Sequence, residues 1–212
     1  MTDELVFYTS PMSRGRTVRW MLEEVGEPYR TVLIDFKATE KDAGLLAANP
    51  MGKVPTIVHG DTVVTETAAI CAYLADTFPA AGLAPAVSSR ERGTYYRWLF
   101  FAAGPVEAAI VDKSLGVTGP GDKEGMVGYG NLDRAVATLE TALASGPYIL
   151  GEQFSAADIY VGSQISFGMM FGSIEKRPAF VAYSERLNAR AAAVRAREID
   201  DALLPAEMRG MM

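Results

Sequence analysis

Strand-like runs are confined to the first 79 residues of this 212-residue chain, and that asymmetry sharply limits the folds open to it. Up to Pro79, short β-rich runs alternate with helical patterns: ELVFYT, a helix through Arg19, YRTVLIDF, then TIVHG, TVVTE and another helix. Strands separated by helices imply βαβ units. In the first helix Val18, Met21, Leu22 and Val25 fall at i, i+3, i+4 and i+7, and Gly26 followed by Pro28 ends it. HGDT, with Gly60 and Asp61 at its tip, reads as a turn between antiparallel strands. The expected order is β-α-β-α-β-β-α.

PAAGLAPAVSS, starting at Pro79, interrupts this pattern with prolines, a glycine and small residues, as a linker does. Beyond it every periodic segment is helical: residues 90–113, 129–145, 155–172 and 178–199. Leu132, Val136, Leu139 and Leu143 keep one apolar face. The reading is therefore an α/β domain over residues 1–79, a linker over 80–89 and an all-α domain over 90–212.

Apolar residues make up 49% of the chain, ample for a core, and the net charge of −6 argues against nucleic acid or an anionic membrane as main partner. The single cysteine, Cys71, excludes an intrachain disulfide. Met1 leads into Thr2-Asp3 with no basic or apolar signal segment, so a reducing, cytoplasmic location is expected. The stretch from Ile159 to Ile174 is too short and too diluted by polar residues to span a bilayer.

Four local features carry chemistry. SPMSRG, residues 10–15, passes from a strand into a helix, where Ser10 or Ser13 can cap the helix or serve a ligand. The window from Ser10 to Trp20 holds Arg14, Arg16 and Arg19 with no acid, which favours an anion, although Arg19 reads as part of a solvated helix face. NPMGKVPTIV puts Val54-Pro55 directly before a strand, a candidate cis peptide. In TVVTETAAI the helix starts across Thr65-Glu66-Thr67, where a hydroxyl and free N–H groups suit a carboxylate and Glu66 suits an ammonium group. An acid that merely complements the helix dipole is the alternative.

Other candidates have structural readings. Cys71 lies among Ala68, Ile70, Tyr73 and Leu74 and reads as a small core residue. His59 is the only histidine, so no histidine-based metal site is expected. SAAD, residues 155–158, fits a capping box, and RLNARAAAVRAR reads as a solvated helical face.

Taken in order, FYTSPMSRGRTVRWMLEEVG, NPMGKVP, TETAAICAYLADTFP and YILGEQFSAADIY resemble the cytosolic glutathione transferases over essentially the whole chain. The resemblance implies a thioredoxin-like domain, a helical domain, a homodimer and a detoxifying transferase that uses glutathione as co-substrate and no metal. It implies that Val54, before a cis Pro55, pairs its backbone with the cysteinyl part of glutathione. Lys53 would approach a carboxylate, Glu66 the γ-glutamyl ammonium and Thr67 its carboxylate, with Lys41 at the glycyl end. Thr67 departs from the family's usual serine but keeps the hydroxyl.

The family's classes differ in the group that activates the thiol. Counting back from Trp20, Tyr8 falls where tyrosine classes keep their hydroxyl and Ser13 where the beta class keeps a cysteine, while PMS is similar to the serine loop of the phi class. Ser13 is preferred, because the helix's positive end, Arg14 and Arg16 also favour the anion there. Tyr8 is the rival, and Ser10 is left with capping. The resemblance further implies a pocket for a small apolar electrophile lined by Met12, Phe100, Phe101, Pro105 and Met170. Competing functions are a glutathione-dependent disulfide reductase or peroxidase, and a non-catalytic glutathione-binding or partner-binding protein.

Overall fold

The structure, a computed structural model, describes residues 3–38, 40, 42–117 and 121–204. The chain divides into two compact units: Met1–Ala81 with Arg190–Met212, and Gly82–Ala189.

The first unit follows the expected order: β1 (Leu5–Thr9), α1 (Gly15–Val25), β2 (Arg30–Leu33), α2 (Ala43–Ala48), β3 (Thr56–His59), β4 (Thr62–Thr65) and α3 (Thr67–Thr77). The sheet runs β2-β1-β3-β4, with β1 parallel to β2 and antiparallel to β3, and β4 antiparallel to β3. This is a thioredoxin-like arrangement. Leu5, Val6, Phe7 and Thr9 of the central strand β1 are all buried, as covering both faces of a strand requires. The β3–β4 hairpin closes at His59↔Thr62, and Gly60, at φ +56°, takes the left-handed position that such a two-residue turn needs. Cys71 is fully buried, and burial pushes its thiol up to about 12, so it is a core residue without thiolate character at neutral pH.

One expectation about charge is corrected here and a second is completed. Arg19 is not on a solvated face but 1% exposed: its guanidinium lies against the rings of Phe7 and Tyr29, at 5.2 and 5.9 Å from their centroids. It donates to Asp200 Oδ1 at 2.6 Å, to the Tyr29 hydroxyl at 3.1 Å and to Thr31 Oγ1 at 3.2 Å. The run RLNARAAAVRAR keeps Arg186, Arg195 and Arg197 on an exposed face, as expected, but its other side is buried. Its second half begins α9 (Ala191–Ala202), whose Ala192, Ala193 and Ala196 are buried in the first unit.

Helices α1 and α9 meet through an antiparallel ladder of ion pairs: Arg16–Asp201, Arg19–Asp200, Glu23–Arg195 and Glu24–Arg190. Positions 16, 19 and 23 recur at helical spacing, so one stripe of α1 faces α9. Val18, Met21 and Leu22 form the separately buried apolar stripe. The helical domain expected to reach residue 212 therefore ends earlier, because α9 belongs to the first unit. The single helix expected over 178–199 is two, α8 (Pro178–Asn188) and α9, separated at Arg190, where the backbone is extended.

The second unit is helical. α4 (Glu91–Phe101) runs through a π-turn at Ala102–Val106 into α5 (Glu107–Ser114), followed by α6 (Leu132–Leu143), α7 (Ala156–Met170) and α8. Pro105 has no N–H for the regular ladder, and the wider turn accommodates it. Most of the expected linker belongs to this unit. Leu83 is buried and its carbonyl accepts the Ala156 N–H at 2.8 Å, while the Pro85 carbonyl accepts from Arg92 at 2.7 Å. Asp158 and Ser155 form the expected capping box at the start of α7. Among the described residues no helix is long and apolar enough to cross a membrane.

Candidate functional site

The strand register gathers the sequence candidates. Tyr8 of β1 stands opposite Thr56 of β3, and Thr56 stands opposite Thr65 of β4. Consequently the segment leaving β1 (Ser10–Arg14), the segment entering β3 (Lys53-Val54-Pro55) and the segment leaving β4 (Glu66-Thr67) all lie at one edge of the sheet. Neighbouring strands are about 4.8 Å apart, so the three segments span roughly 10 Å.

At the first segment the hydroxyl of Ser13 has two local partners. It donates to the Ser10 carbonyl at 2.7 Å and accepts the Gly15 N–H at 2.9 Å. The side chain that closes the start of α1 is therefore Ser13, and the capping role expected of Ser10 is corrected: Ser10, 5% exposed, contributes its carbonyl, which also accepts the Ser13 N–H at 3.1 Å. Arg16 and Thr17 donate their N–H groups to the carbonyls of Ser13 and Arg14. Gly15 is required by space. A Cβ there would stand 1.9 Å from Thr9 Oγ1 and 3.0 Å from Ser13 Oγ. The Arg16 side chain donates from Nε to the Pro11 carbonyl and from a terminal nitrogen to Asp201 Oδ1, each at 2.7 Å. Its charge is thus already paired.

Tyr8 takes a different direction. Along β1 successive side chains alternate faces, and the Tyr8 hydroxyl lies against Gly44 of α2, 3.1 Å from where a Cβ would stand.

At the second segment Val54–Pro55 is cis, as the sequence suggested. Among the described residues the Val54 main chain makes no backbone hydrogen bond, since the β3 ladder begins at Thr56. Lys53 is exposed. The segment is held from behind by Asn49, 6% exposed, whose amide donates to the Lys53 carbonyl at 3.0 Å and to Thr56 Oγ1 at 3.3 Å. The Asn49 side-chain oxygen accepts the Met51 N–H at 3.1 Å. Asn49 was not among the site residues expected from the sequence. The available signal was a buriable amide four residues before a main-chain segment that must stay open.

At the third segment Glu66 has φ +64° and ψ +116°, the only positive φ outside glycine among the described residues. Such backbone strain is characteristic of ligand-holding positions. It leaves the Glu66 carboxylate exposed at the start of α3, where the Thr65 hydroxyl donates to it at 3.2 Å. Thr67, 8% exposed, is the first residue of α3, and no side chain caps that helix start. Its leading N–H groups are available to an anion. Lys41 lies outside the described residues.

The residues expected to line an apolar pocket are spread over both units. Met12 is 46% exposed in the first. In the second, Phe100 and Met170 are exposed and Phe101 and Pro105 half-buried. Neighbouring helical residues point about 100° apart. The Phe100 ring accordingly meets Tyr96, while the Phe101 ring meets Trp98.

Comparison with known proteins adds a separate line of observation. The model for the N-terminal domain of glutathione S-transferases matches residues 9–77, and that for the C-terminal domain matches residues 108–186. The chain is similar to glutathione S-transferase A of Pleuronectes platessa, with 28% identity over 180 residues and 80% of each chain covered. It is similar to glutathione S-transferase GstA of Escherichia coli O157:H7, with 30% identity over 143 residues, 66% of this chain and 70% of that one. A sphingomonad glutathione S-transferase solved in complex with glutathione superposes with a TM-score of 0.73 at 28% identity, covering 92% of this chain and 98% of the other.

Proposed function

This chain belongs to the glutathione transferase family, and on that premise we propose that it conjugates the thiolate of glutathione to a small apolar electrophile. The observation that carries the reading is the shared sheet edge. An extended tripeptide spans about 10 Å, the distance that separates the Glu66-Thr67 segment from the Ser10–Arg14 segment across the sheet. In this reading the γ-glutamyl ammonium meets Glu66 and its carboxylate meets Thr67 and the open start of α3. The cysteinyl main chain pairs with the unpaired Val54 as with an edge strand. Lys53 attracts a carboxylate, and the thiol comes to Ser13.

Ser13 acts by donating a hydrogen bond to the sulfur, not as nucleophile. A free thiol has a pKa near ~8.5, and each unit of depression needs about 1.4 kcal/mol of preferential stabilisation of the anion. The Ser13 proton is engaged with the Ser10 carbonyl, so donation to sulfur exchanges a neutral hydrogen bond for a charge-assisted one. That exchange is worth roughly 0.5–2 kcal/mol, or up to about one and a half pKa units. The Gly15 N–H that donates into Ser13 Oγ polarises the hydroxyl further toward donation. The thiolate then attacks carbon, forming the S–C bond as the leaving group departs with its electron pair.

The test is the ultraviolet thiolate band of bound glutathione followed against pH. Ser13→Ala is expected to raise the apparent thiol pKa by roughly 0.5–1.5 units. An unchanged pKa in this variant, with a shift in Tyr8→Phe instead, would transfer the role to Tyr8. A second expectation concerns binding: Asn49→Ala releases the turn behind Val54 and should weaken glutathione about tenfold, the equivalent of one lost hydrogen-bonded anchor. Titration calorimetry measures it, and wild-type affinity in the variant would count against the Val54 docking mode.

A further inference from the structure

We propose that Asp201, on the last helix, is a positioning residue for thiol activation, acting through Arg16 on the loop that carries Ser13. The inference rests on the reading above only in taking Ser10–Arg14 as the segment that meets the thiol.

The contacts form a short chain. Asp201 Oδ1 accepts from a terminal nitrogen of Arg16, and Arg16 Nε donates to the Pro11 carbonyl, both at 2.7 Å. A guanidinium is planar, so a carboxylate at one edge fixes the direction of the donor at the other. The Arg16 side chain is only 11% exposed, which keeps water from substituting freely for either partner. The Pro11 carbonyl belongs to the peptide plane leading to Met12, between the Ser10 carbonyl that receives the Ser13 hydroxyl and Ser13 itself. Tilting that plane moves the hydroxyl, and a displacement of about 1 Å at a reacting group is enough to lose much of its effect.

Asp201 is not needed merely to dock α9. Asp200, Arg190 and Arg195 tie the same two helices at Arg19, Glu24 and Glu23, and the alanines of α9 are buried beside them. Among these ion pairs only Asp201–Arg16 continues into a hydrogen bond with the loop at Pro11. Asp201 also offsets the charge of Arg16, so the arginine serves as a strut and the sulfur depends on the hydroxyl. Charge alone would lower the thiol pKa on its removal, by freeing the Arg16 cation, whereas loss of the loop geometry raises it, so a rise in the variant reads the geometry.

The experiment compares Asp201→Asn, Asp201→Glu, Glu23→Gln and Ser13→Ala by the thiolate band of bound glutathione and by steady-state kinetics with a chloronitrobenzene. Asp201→Asn should raise the apparent thiol pKa by roughly 0.5–1 unit, a threefold to tenfold loss of thiolate below that pKa, with kcat/KM falling alike. The KM for glutathione should stay within about twofold, since the groups that bind the tripeptide are elsewhere. Asp201→Glu should recover part of the shift, and Glu23→Gln, which loosens the same helix pair away from the loop, should leave the pKa in place. An unchanged or lowered pKa in Asp201→Asn overturns the proposal, as does an equal shift in Glu23→Gln. A shift in Asp201→Asn with none in Ser13→Ala keeps the role of Asp201 and removes that of Ser13. The reverse pattern removes Asp201 alone.

Discussion

Asp200→Ala is expected to destabilise the first unit by about 3–5 kcal/mol, far more than the ion pair it breaks contributes. The carboxylate and the Arg19 guanidinium are each about 1% exposed and meet at 2.6 Å. Their attraction offsets two large desolvation penalties, so the pair itself adds little. Removing the carboxylate leaves a guanidinium buried without its counter-charge, held only by Tyr29, Thr31 and two ring faces. The pair is also incompletely satisfied, since one terminal nitrogen of Arg19 and Oδ2 of Asp200 have no hydrogen-bond partner among the described residues. Replacing both residues, as Arg19→Met with Asp200→Leu, should therefore recover most of the loss.

Burial pushes the Asp200 carboxyl above its ordinary range, with Arg19 and Arg16 opposing. A carboxyl whose folded pKa exceeds its unfolded value of about 3.9 contributes most below that value and loses its contribution as pH rises through the raised one. Acid should thus widen the gap between the wild type and Asp200→Ala, and the gap should shrink as pH rises through the raised pKa. The two tryptophans permit a clean measurement, because Trp20 lies in the first unit and Trp98 in the second. Urea unfolding followed by Trp20 fluorescence in a Trp98→Phe background reads this unit alone. A loss below about 1 kcal/mol would show that the guanidinium finds another partner or water.

Arg19 also marks the limit of what the sequence could reveal. The strands, the helix of Val18, Met21 and Leu22, and the HGDT hairpin were legible because periodicity and turn chemistry are local. The site edge was legible for the same reason: Val54-Pro55 and Glu66-Thr67 are short segments at strand ends, and the strand order brings them together. An arginine in a helix reads as solvated unless its partner is known, and the partner of Arg19 lies 181 residues away. The same distance hid the membership of α9 in the first unit, since its contacts with α1 are mostly charges and alanines that resemble a surface. Ser13 was ambiguous for another reason. Capping and hydrogen-bond donation require the same side chain at the same place, and the bond to the Ser10 carbonyl shows the first engaged while leaving the hydroxyl proton transferable.

The second large effect is expected in the helical unit, where Asp158→Ala should cost about 3–5 kcal/mol. Asp158 is fully buried and accepts four hydrogen bonds: from the Ile149 N–H at 2.7 Å, the Tyr183 hydroxyl at 2.8 Å, the Ser155 N–H at 2.9 Å and the Ser155 hydroxyl at 3.1 Å. Burial raises the carboxyl's pKa and these donors oppose the rise, so the carboxylate is a hub that the fold tolerates only while every donor points at it. Alanine leaves the donors facing a void too apolar to rehydrate them all, at about 1–3 kcal/mol for each group left unpaired and unrelaxed. Asp158→Asn keeps one acceptor oxygen but turns an NH2 group toward donors, and should fall between alanine and the wild type. Tyr183→Phe removes a single donor while the others remain, and should cost only about 1 kcal/mol. The order Ala, Asn, Phe in urea midpoints, read from Trp98 in a Trp20→Phe background, tests the hub directly. If Tyr183→Phe were as damaging as Asp158→Ala, the stability would lie in the packing of the tyrosine ring, not in the carboxylate that joins the start of α7 to α8.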